Sequence, residues 1–546
     1  MGNIKGNNFD ILLTEINNEI DRFIGSKHNL IKERNLGLEY VYLDREFKVM
    51  PYLKHNYNKL YDITSNEIYK LLKQNSDNLI SIDKLINDIV FNYLFENKMN
   101  ISLRINLQIE NFINTIKNIS MLTYENKSID IGIILCRNKN ALKKIKSMNE
   151  FTLINLNKVR IDKLFLEEKP LLKLIDNKNY VLLLDDEFYV IGILRRNNDC
   201  KLIDKLFKEK IMNYQEILFK CSILDELMDV IKEFFSDDFL EMYIDSNKEA
   251  KNVSYELLDK IESKKINIDK NMEKLSKKLI KLLYHEKNQL FTDENSTLFN
   301  DIMYITLNNK ESVFYSSNEG VICYKNGRWN LRNYISLYHE IFLAIHKYPQ
   351  KLVLERIFTI IDDIIILGKY QNDRLLTFKT NLMGKLDNLT KLTFKFTNNI
   401  LNISNRKIGA LFVIINDENI KEFEDNKQEY MEMHDTEKNY MKLLEISEGI
   451  NISEIDDELF ILLSSIDGAV ILDNSLNIIS YGSMIKTQDI DRSNCANVYG
   501  ARTNAAINAT KLGTSIKISE DGDIDIYRNV IFRDGTCILE NVLTIK

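Results

Sequence analysis

From the start of the chain to about residue 125, apolar positions recur every third or fourth residue. Ile11-Leu12-Leu13, Ile16, Ile20 and Phe23-Ile24 make one such stripe, and Leu79-Ile80, Leu85-Ile86 and Ile89-Val90 make another. A period of about 3.6 predicts amphipathic helices. Ser81 or Asp83 is placed to cap the second of them. Residues 1–125 therefore read as a helical N-terminal region, a packing or interaction module with no motif that carries chemistry.

The pattern then changes to short apolar runs broken by turns. A strand is predicted at 129–136, and strands at 180–184 and 188–194 flank the acidic turn Asp185-Asp186-Glu187 as a hairpin. Helical periodicity returns over 201–290. Strands follow at 312–316 and 320–324, closing on Lys325-Asn326-Gly327-Arg328-Trp329. Together these define a middle α/β region, 126–334. A helical connector, 335–385, carries the wide stripe Ile357-Phe358, Ile360-Ile361 and Ile364-Ile365, suited to a linker or an oligomerisation helix.

Residues 386–546 form the best-defined unit. Gly409-Ala410 opens a continuous apolar strand over 408–415, and helical patterns span 436–448 and 454–464. Strands at 470–472 and 478–481 pair across the tight-turn sequence Asp473-Asn474-Ser475. A short helix at 501–512 precedes a strand at 515–519, and Asp521-Gly522 turns into a strand at 524–527. The fold class is α/β: a C-terminal mixed-sheet domain preceded by the helical region and the middle α/β region.

Two echoes join the middle region to the last one. Val181-Leu182-Leu183-Leu184-Asp185 with Val190-Ile191-Gly192 resembles Val470-Ile471-Leu472-Asp473 with Ile478-Ile479-Ser480. Glu319-Gly320-Val321-Ile322-Cys323-Tyr324 resembles Asp521-Gly522 and the strand after it. Either the middle region is a decayed copy of the last domain, or hairpins in an Ile-rich chain simply look alike.

Composition narrows the function classes. Hydrophobic residues make up 45% of the 546 positions and charged residues 28%, enough apolar surface for full-sized cores. The bias toward Ile, Asn and Lys, with only 3 Pro and 18 Gly, is that of an AT-rich coding sequence, so lysine richness is no sign of nucleic-acid binding. The net charge is −7 and no polybasic block stands out, which argues against long nucleic acid as a partner. Six cysteines (Cys136, Cys200, Cys221, Cys323, Cys495 and Cys537) are widely separated, with no C-x-x-C pair, as expected of reduced cytoplasmic thiols. No apolar run approaches the roughly eighteen residues of a membrane span, and no charged-then-apolar leader pattern opens the chain. A cytoplasmic protein without membrane partners is expected. P-loop, Rossmann and nucleophile-elbow motifs are missing from the sequence. His339 and His346 near Glu340 lack metal-protease spacing, and Trp329 reads as a packing anchor.

Three C-terminal segments do carry candidate chemistry: Asp467-Gly468-Ala469-Val470, Gly500-Ala501-Arg502-Thr503-Asn504-Ala505-Ala506, and Ser519-Glu520-Asp521-Gly522. Each combines small residues with a few polar groups at a strand end or helix start, where backbone N–H groups can approach an anion. Each also has a plain reading: a turn aspartate, a surface arginine, a solvated hairpin. In order and rough spacing the three segments resemble the diadenylate cyclase (DAC, or DisA-N-like) domain, whose signatures are an Asp-Gly-Ala turn and an Arg-His-Arg motif. The chain keeps the first and has Arg502-Thr503-Asn504 in place of the second.

The resemblance implies a nucleotide site built from Asp467, Gly468, Ala469, Gly500, Arg502, Thr503, Asn504, Ser519 and Glu520. It implies Mg or Mn bound with the nucleotide through Asp467 and Glu520, and in an active enzyme Asp467 as the catalytic carboxylate that helps a ribose hydroxyl attack an α-phosphate. Thr503 and Asn504 supply no positive charge, and losing one donor aimed at a transferring phosphoryl group costs about 3 kcal/mol of transition-state stabilisation. The chain is thus similar to the sensor branch of such domains (DACNV), with ATP, another nucleotide or a cyclic dinucleotide as ligand. The alternatives are an active diadenylate cyclase making cyclic di-AMP from two ATP, which the resemblance ties to a homo-oligomer with domains face to face, and a scaffold without ligand.

Overall fold

The computed structural model describes residues 4–26, 28–35, 38–45, 62–68, 82–99, 103–234, 265–290, 301–308, 310–315, 321–345, 372–426, 449–486, 500–531 and 537–546, with Lys70 and Tyr430 besides. Its N-terminal part holds helices α1 (Ile4–Ile24), α2 (Ile82–Met99) and α3 (Leu103–Ser120). Between α1 and α2, strands β1 (His28–Asn35) and β2 (Leu38–Arg45) form an antiparallel hairpin inside the stretch expected to be helical. The reason is local: Tyr40-Val41-Tyr42 is a β-branched and aromatic run, which suits an extended backbone better than a helix.

An eight-stranded sheet follows. Its strands are β3 (Asp130–Cys136), β4 (Phe151–Arg160), β5 (Tyr180–Leu184), β6 (Tyr189–Arg196), β7 (Ile302–Asn308), β8 (Glu311–Tyr315), β9 (Val321–Lys325) and β10 (Arg328–Arg332). They lie side by side as β10-β9-β8-β7-β3-β5-β6-β4. Only β3 and β5 are parallel; every other pairing is antiparallel. Helices α4 (Lys139–Ser147) and α5 (Ile161–Glu167) fall between its strands, and α6 (Ile203–Phe234) and α7 (Lys265–Leu290) lie in the long crossover from β6 to β7. One face packs on α1, α2 and α3 through Ile20, Ile89, Ile113, Ile133 and Leu182; the other takes Ala141 and Ile145 of α4 and Phe207 of α6. Both faces are covered, as a sheet with a central parallel pair requires.

Helices α8 (Tyr334–Ile345) and α9 (Asn372–Asn405) lead to a second, six-stranded sheet. The Ile357–365 stripe lies outside the described residues. The sheet's strands are β11 (Ala410–Ile415), β12 (Ala469–Leu472), β13 (Ile478–Ser483), β14 (Gly513–Ile518), β15 (Ile524–Ile531) and β16 (Cys537–Ile545), ordered β13-β12-β11-β14-β15-β16. Here too one pair, β11 with β12, is parallel and the rest antiparallel. Among the described residues helices α10 (Asp417–Asp425), α11 (Asp457–Ser464) and α12 (Ala501–Ala509) go with it, and the helical pattern expected at 436–448 lies outside them.

The two faces of β11 go to different layers because side chains alternate along a strand. Ala410, Phe412 and Ile414 join α9 and α11 in a large core that also takes in α6, α7 and α8. Leu411, Val413 and Ile415 pack under α10 and α12. Asp456 caps α11 by accepting the N–H groups of Glu458 and Leu459. Among the described residues, no helix is long and apolar enough to cross a membrane.

Candidate functional site

Three strands of the second sheet end at one level. Phe412 lies opposite Val470 in the parallel pair, and Ala410 lies opposite Ile518 in the antiparallel pair. Gly409 and Ser519 lie one residue, and Asp467 two residues, beyond the ends of these three neighbouring strands, all at the same end of the sheet. Gly409 shares its face with Leu411 and Val413, the face that α12 covers. Two of the three candidate segments thus reach the same edge, and the third is α12 itself.

Arg502 sits in the first turn of α12 and lies across Gly409. A Cβ on Gly409 would come within 2.2 Å of Arg502 Nη1 and 2.8 Å of its Cζ. The absent side chain is therefore the seat of the guanidinium. Arg502 Nη1 is 3.7 Å from Glu520 Oε1, and the two side chains are 33% and 83% exposed, so the pair is loose and wet. Exposed pairs of this kind contribute about 0–1 kcal/mol, which leaves the cation open to a better anion. Gly500 is the N-cap of α12, with no side-chain cap and no acid in the first turn. Among the described residues no side chain caps this helix start, where partial positive charge accumulates. Its far end is anchored by Ser515, whose Oγ donates to the Ala506 carbonyl at 2.6 Å.

Asp467 is exposed where α11 gives way to β12. Among the described residues, no hydrogen bond or ion pair ties its carboxylate down, and none joins it to Arg502. Gly468 follows at φ +112°, and a Cβ there would lie 2.4 Å from the carbonyl carbon of Gly482. The glycine lets the chain enter the sheet against β13, and Ala469 is fully buried behind it.

The Ser519-Glu520-Asp521-Gly522 segment is partly occupied by its own hairpin. Ser519 Oγ accepts the Asp523 N–H at 3.0 Å, and the Ser519 N–H donates to the Asp523 carbonyl at 2.8 Å. Gly522 turns the chain at φ +93°, close against the Ser404 carbonyl. Burial pushes the Asp523 carboxyl above its ordinary range, against the pull of Lys325 and Lys546. Thr503 and Asn504 are half-buried in the first turn of α12, and the Asn504 N–H makes the helix's first internal bond, to Gly500 O, at 3.1 Å. Successive helical side chains point about 100° apart, so three consecutive residues cannot all face Gly409. No group of three metal-ligating side chains forms among the described residues.

Sequence reasoning singled out Asp467, Arg502 and Glu520 and missed the part Gly409 plays. The signal was present: a glycine opening an otherwise continuous apolar strand marks a close approach. Elsewhere the plain readings describe what is seen. Asp185 accepts the N–H groups of Glu187 and Tyr189 as a turn aspartate. Trp329 packs on Tyr324 and donates to Asn87 at 2.7 Å. His339 is buried against Ser222, its Nε2 2.9 Å from the hydroxyl.

Residues 398–531 match the DAC family, described as DisA bacterial checkpoint controller nucleotide-binding. The matched segment runs from the last turns of α9 through β15 and contains every residue of the edge just described. A DAC domain implies nucleotide binding, and that implication extends to the matched segment only, a minority of the chain. No curated protein matches the sequence.

Proposed function

We propose that the DAC-like segment is a nucleotide sensor: it binds an adenine nucleotide or cyclic dinucleotide and has lost the charge needed for turnover. The observation that carries this reading is Arg502, seated on bare Gly409 at the level of Asp467 and Ser519 and only loosely paired with Glu520. A guanidinium at an uncapped helix start suits phosphate, because it adds bidentate charge-assisted bonds to the donors of the first turn. Gly500, with open space where a side chain would stand, keeps those donors clear.

Asp467 and Glu520 are the carboxylates that fit a divalent ion. Mg²⁺ is held through one or two carboxylates and the phosphates of its nucleotide, so two exposed acids are enough without a third protein ligand. A metal there would neutralise phosphate charge beside Arg502. Thr503 and Asn504 offer hydrogen bonds but no cation, so the first turn stabilises bound phosphate better than charge developing during transfer.

A thermal-shift panel of ATP, cyclic di-AMP and other nucleotides, each with Mg²⁺ or Mn²⁺, tests the reading. At least one nucleotide should raise the melting temperature. Arg502→Ala should weaken its binding by about 10- to 150-fold, the loss of a charged hydrogen-bond group worth roughly 1.5–3 kcal/mol. Binding untouched by changing both Asp467 and Arg502 would remove the site assignment. Incubation with ATP and Mn²⁺ should yield no cyclic di-AMP. Its appearance, abolished by Asp467→Asn, would make the protein an active cyclase instead.

A further inference from the structure

We infer that the eight-stranded sheet is a second copy of the fold of the six-stranded one, with its site edge closed by its own side chains, so that each chain holds one open and one closed copy. Both sheets are built on a parallel pair, β3 with β5 and β11 with β12. On one side of the pair comes its hairpin partner, β6 or β13. On the other come β7-β8-β9 or β14-β15-β16, and the eight-stranded sheet adds only β10 and β4 at its two edges.

The match extends to register. Ile133 lies opposite Leu182 and Ile305, as Phe412 lies opposite Val470 and Ile516. In the β5–β6 hairpin Leu183 pairs with Gly192 and Leu184 with Val190 across a register shift. Ile471 with Ser480 and Leu472 with Ile478 repeat that shift in β12–β13. The turns repeat as well. Asp185 Oδ1 accepts the Glu187 and Tyr189 N–H groups with Phe188 at φ +67°. Asp473 Oδ1 accepts those of Ser475 and Asn477 with Leu476 at φ +61°.

The layers agree too. Ile131, Ile133 and Leu135 face α3 and α5, as Ala410, Phe412 and Ile414 face α9 and α11. The opposite faces take α4 and α10. Two unrelated hairpins do not reproduce register, bulge, turn and facing together. The first sequence echo falls on matching strands. The second does not, because 320–324 runs into β9, whose counterpart is β16 rather than β15.

Matching the strands identifies what stands at the site edge of the first sheet. Asp130 takes the level of Gly409, Asn179 that of Asp467 and Asn308 that of Ser519. A carboxylate replaces the bare glycine on which Arg502 rests. Asn177 donates to Asp130 Oδ1 at 3.2 Å and accepts the Tyr304 hydroxyl. Asn179 donates to Asp176 Oδ2 at 2.7 Å and accepts Arg196 Nε at 3.1 Å. Asp176 also accepts the Lys178, Asn179 and Tyr180 N–H groups. Polar groups at this edge serve one another. In the second sheet Asp467, which stands at the level of Asn179, has no such partner among the described residues.

The stoichiometry that follows rests on the nucleotide reading; the closed edge does not. Equilibrium dialysis of the full chain with ATP and with cyclic di-AMP, plus Mg²⁺, should give one site per chain, lost in Arg502→Ala. Two sites per chain, or one that survives Arg502→Ala, overturns the inference while nucleotide binding stands. If neither probe binds, the nucleotide reading fails and thermal melts decide the closed edge. Asp130→Ala, Asn177→Ala and Asn179→Ala should each lower the melting temperature by about 2–4 °C. Asp467→Ala and Arg502→Ala should leave it in place. Melts in which the first three variants match the parent would show the edge is not held shut by these groups, and the inference falls.

Discussion

Gly409 matters for the side chain it lacks. Its φ is not in the left-handed region, so alanine fits the backbone, and the obstacle is the end of a flexible arginine 2.2 Å from the new methyl. Moving that guanidinium costs folding little, under about 1 kcal/mol by comparison with ordinary overpacking of 1–3. It does take the cation off its seat. Gly409→Ala should therefore keep the melting temperature and still weaken nucleotide binding about tenfold, a pairing of results that a destabilised variant cannot give; melting and titration calorimetry on one preparation check it. Asp523 supplies a pH test. Burial raises its folded-state pKa above the unfolded value of about 3.9, so the folded protein prefers the protonated acid. The ionised form is penalised above the folded pKa, and the penalty vanishes as pH falls below the unfolded one. Asp523→Asn should thus raise the melting temperature at pH 7, with the gain shrinking under acid and gone near pH 3.9. A gain that grows on acidification would mean the sign is wrong.

At the scale of elements, strands buried on both faces were legible because nothing interrupts their apolar runs: the runs at 129–136, 180–184 and 408–415 hold β3 (130–136), β5 (180–184) and β11 (410–415). The β12–β13 turn was legible from Asp473, whose side chain makes the turn's own hydrogen bonds. Edge strand β4 was not. Only Phe151 is buried along it, and Asn155, Asn157 and Lys158 read as loop. The β1–β2 hairpin was hidden by a helical period on either side. For the site, polar residues and small neighbours showed in the sequence, while their meeting at one edge depends on a parallel pairing between strands more than fifty residues apart. Gly468 makes the contrast with Gly409. At φ +112°, with a Cβ 2.4 Å from the Gly482 backbone, it has no flexible neighbour to push aside. Gly468→Ala should cost roughly 2–4 kcal/mol, summing left-handed strain and a backbone shift. The readout is a lower urea midpoint with an unchanged slope, and a midpoint equal to the parent's would show that the β12 start can relax.

Across the whole molecule the two sheets are not independent bodies on a string. One apolar core takes in α6, α7 and α8, Val313 and Val321 of the first sheet, and one face of the second. The Thr544 N–H in β16 donates to the Gly25 carbonyl after α1 at 2.7 Å, and Arg332 at the end of β10 donates to the Lys546 carbonyl at 2.8 Å. An ion pair lies inside that seam: Arg528 of β15 meets Glu340 of α8 at 3.0 Å, with the glutamate side chain only 2% exposed. A buried pair is weak evidence of net stabilisation, since both charges lose water; removing one partner is another matter, because the remaining charge stays buried. Arg528→Leu should therefore destabilise the chain by roughly 3–5 kcal/mol, while Arg528→Leu with Glu340→Leu should cost much less. Little of the loss should depend on salt, because screening acts mainly on exposed charges. Urea unfolding of the two variants at low and high ionic strength separates the cases. A single variant as stable as the parent would mean the seam closes without this pair.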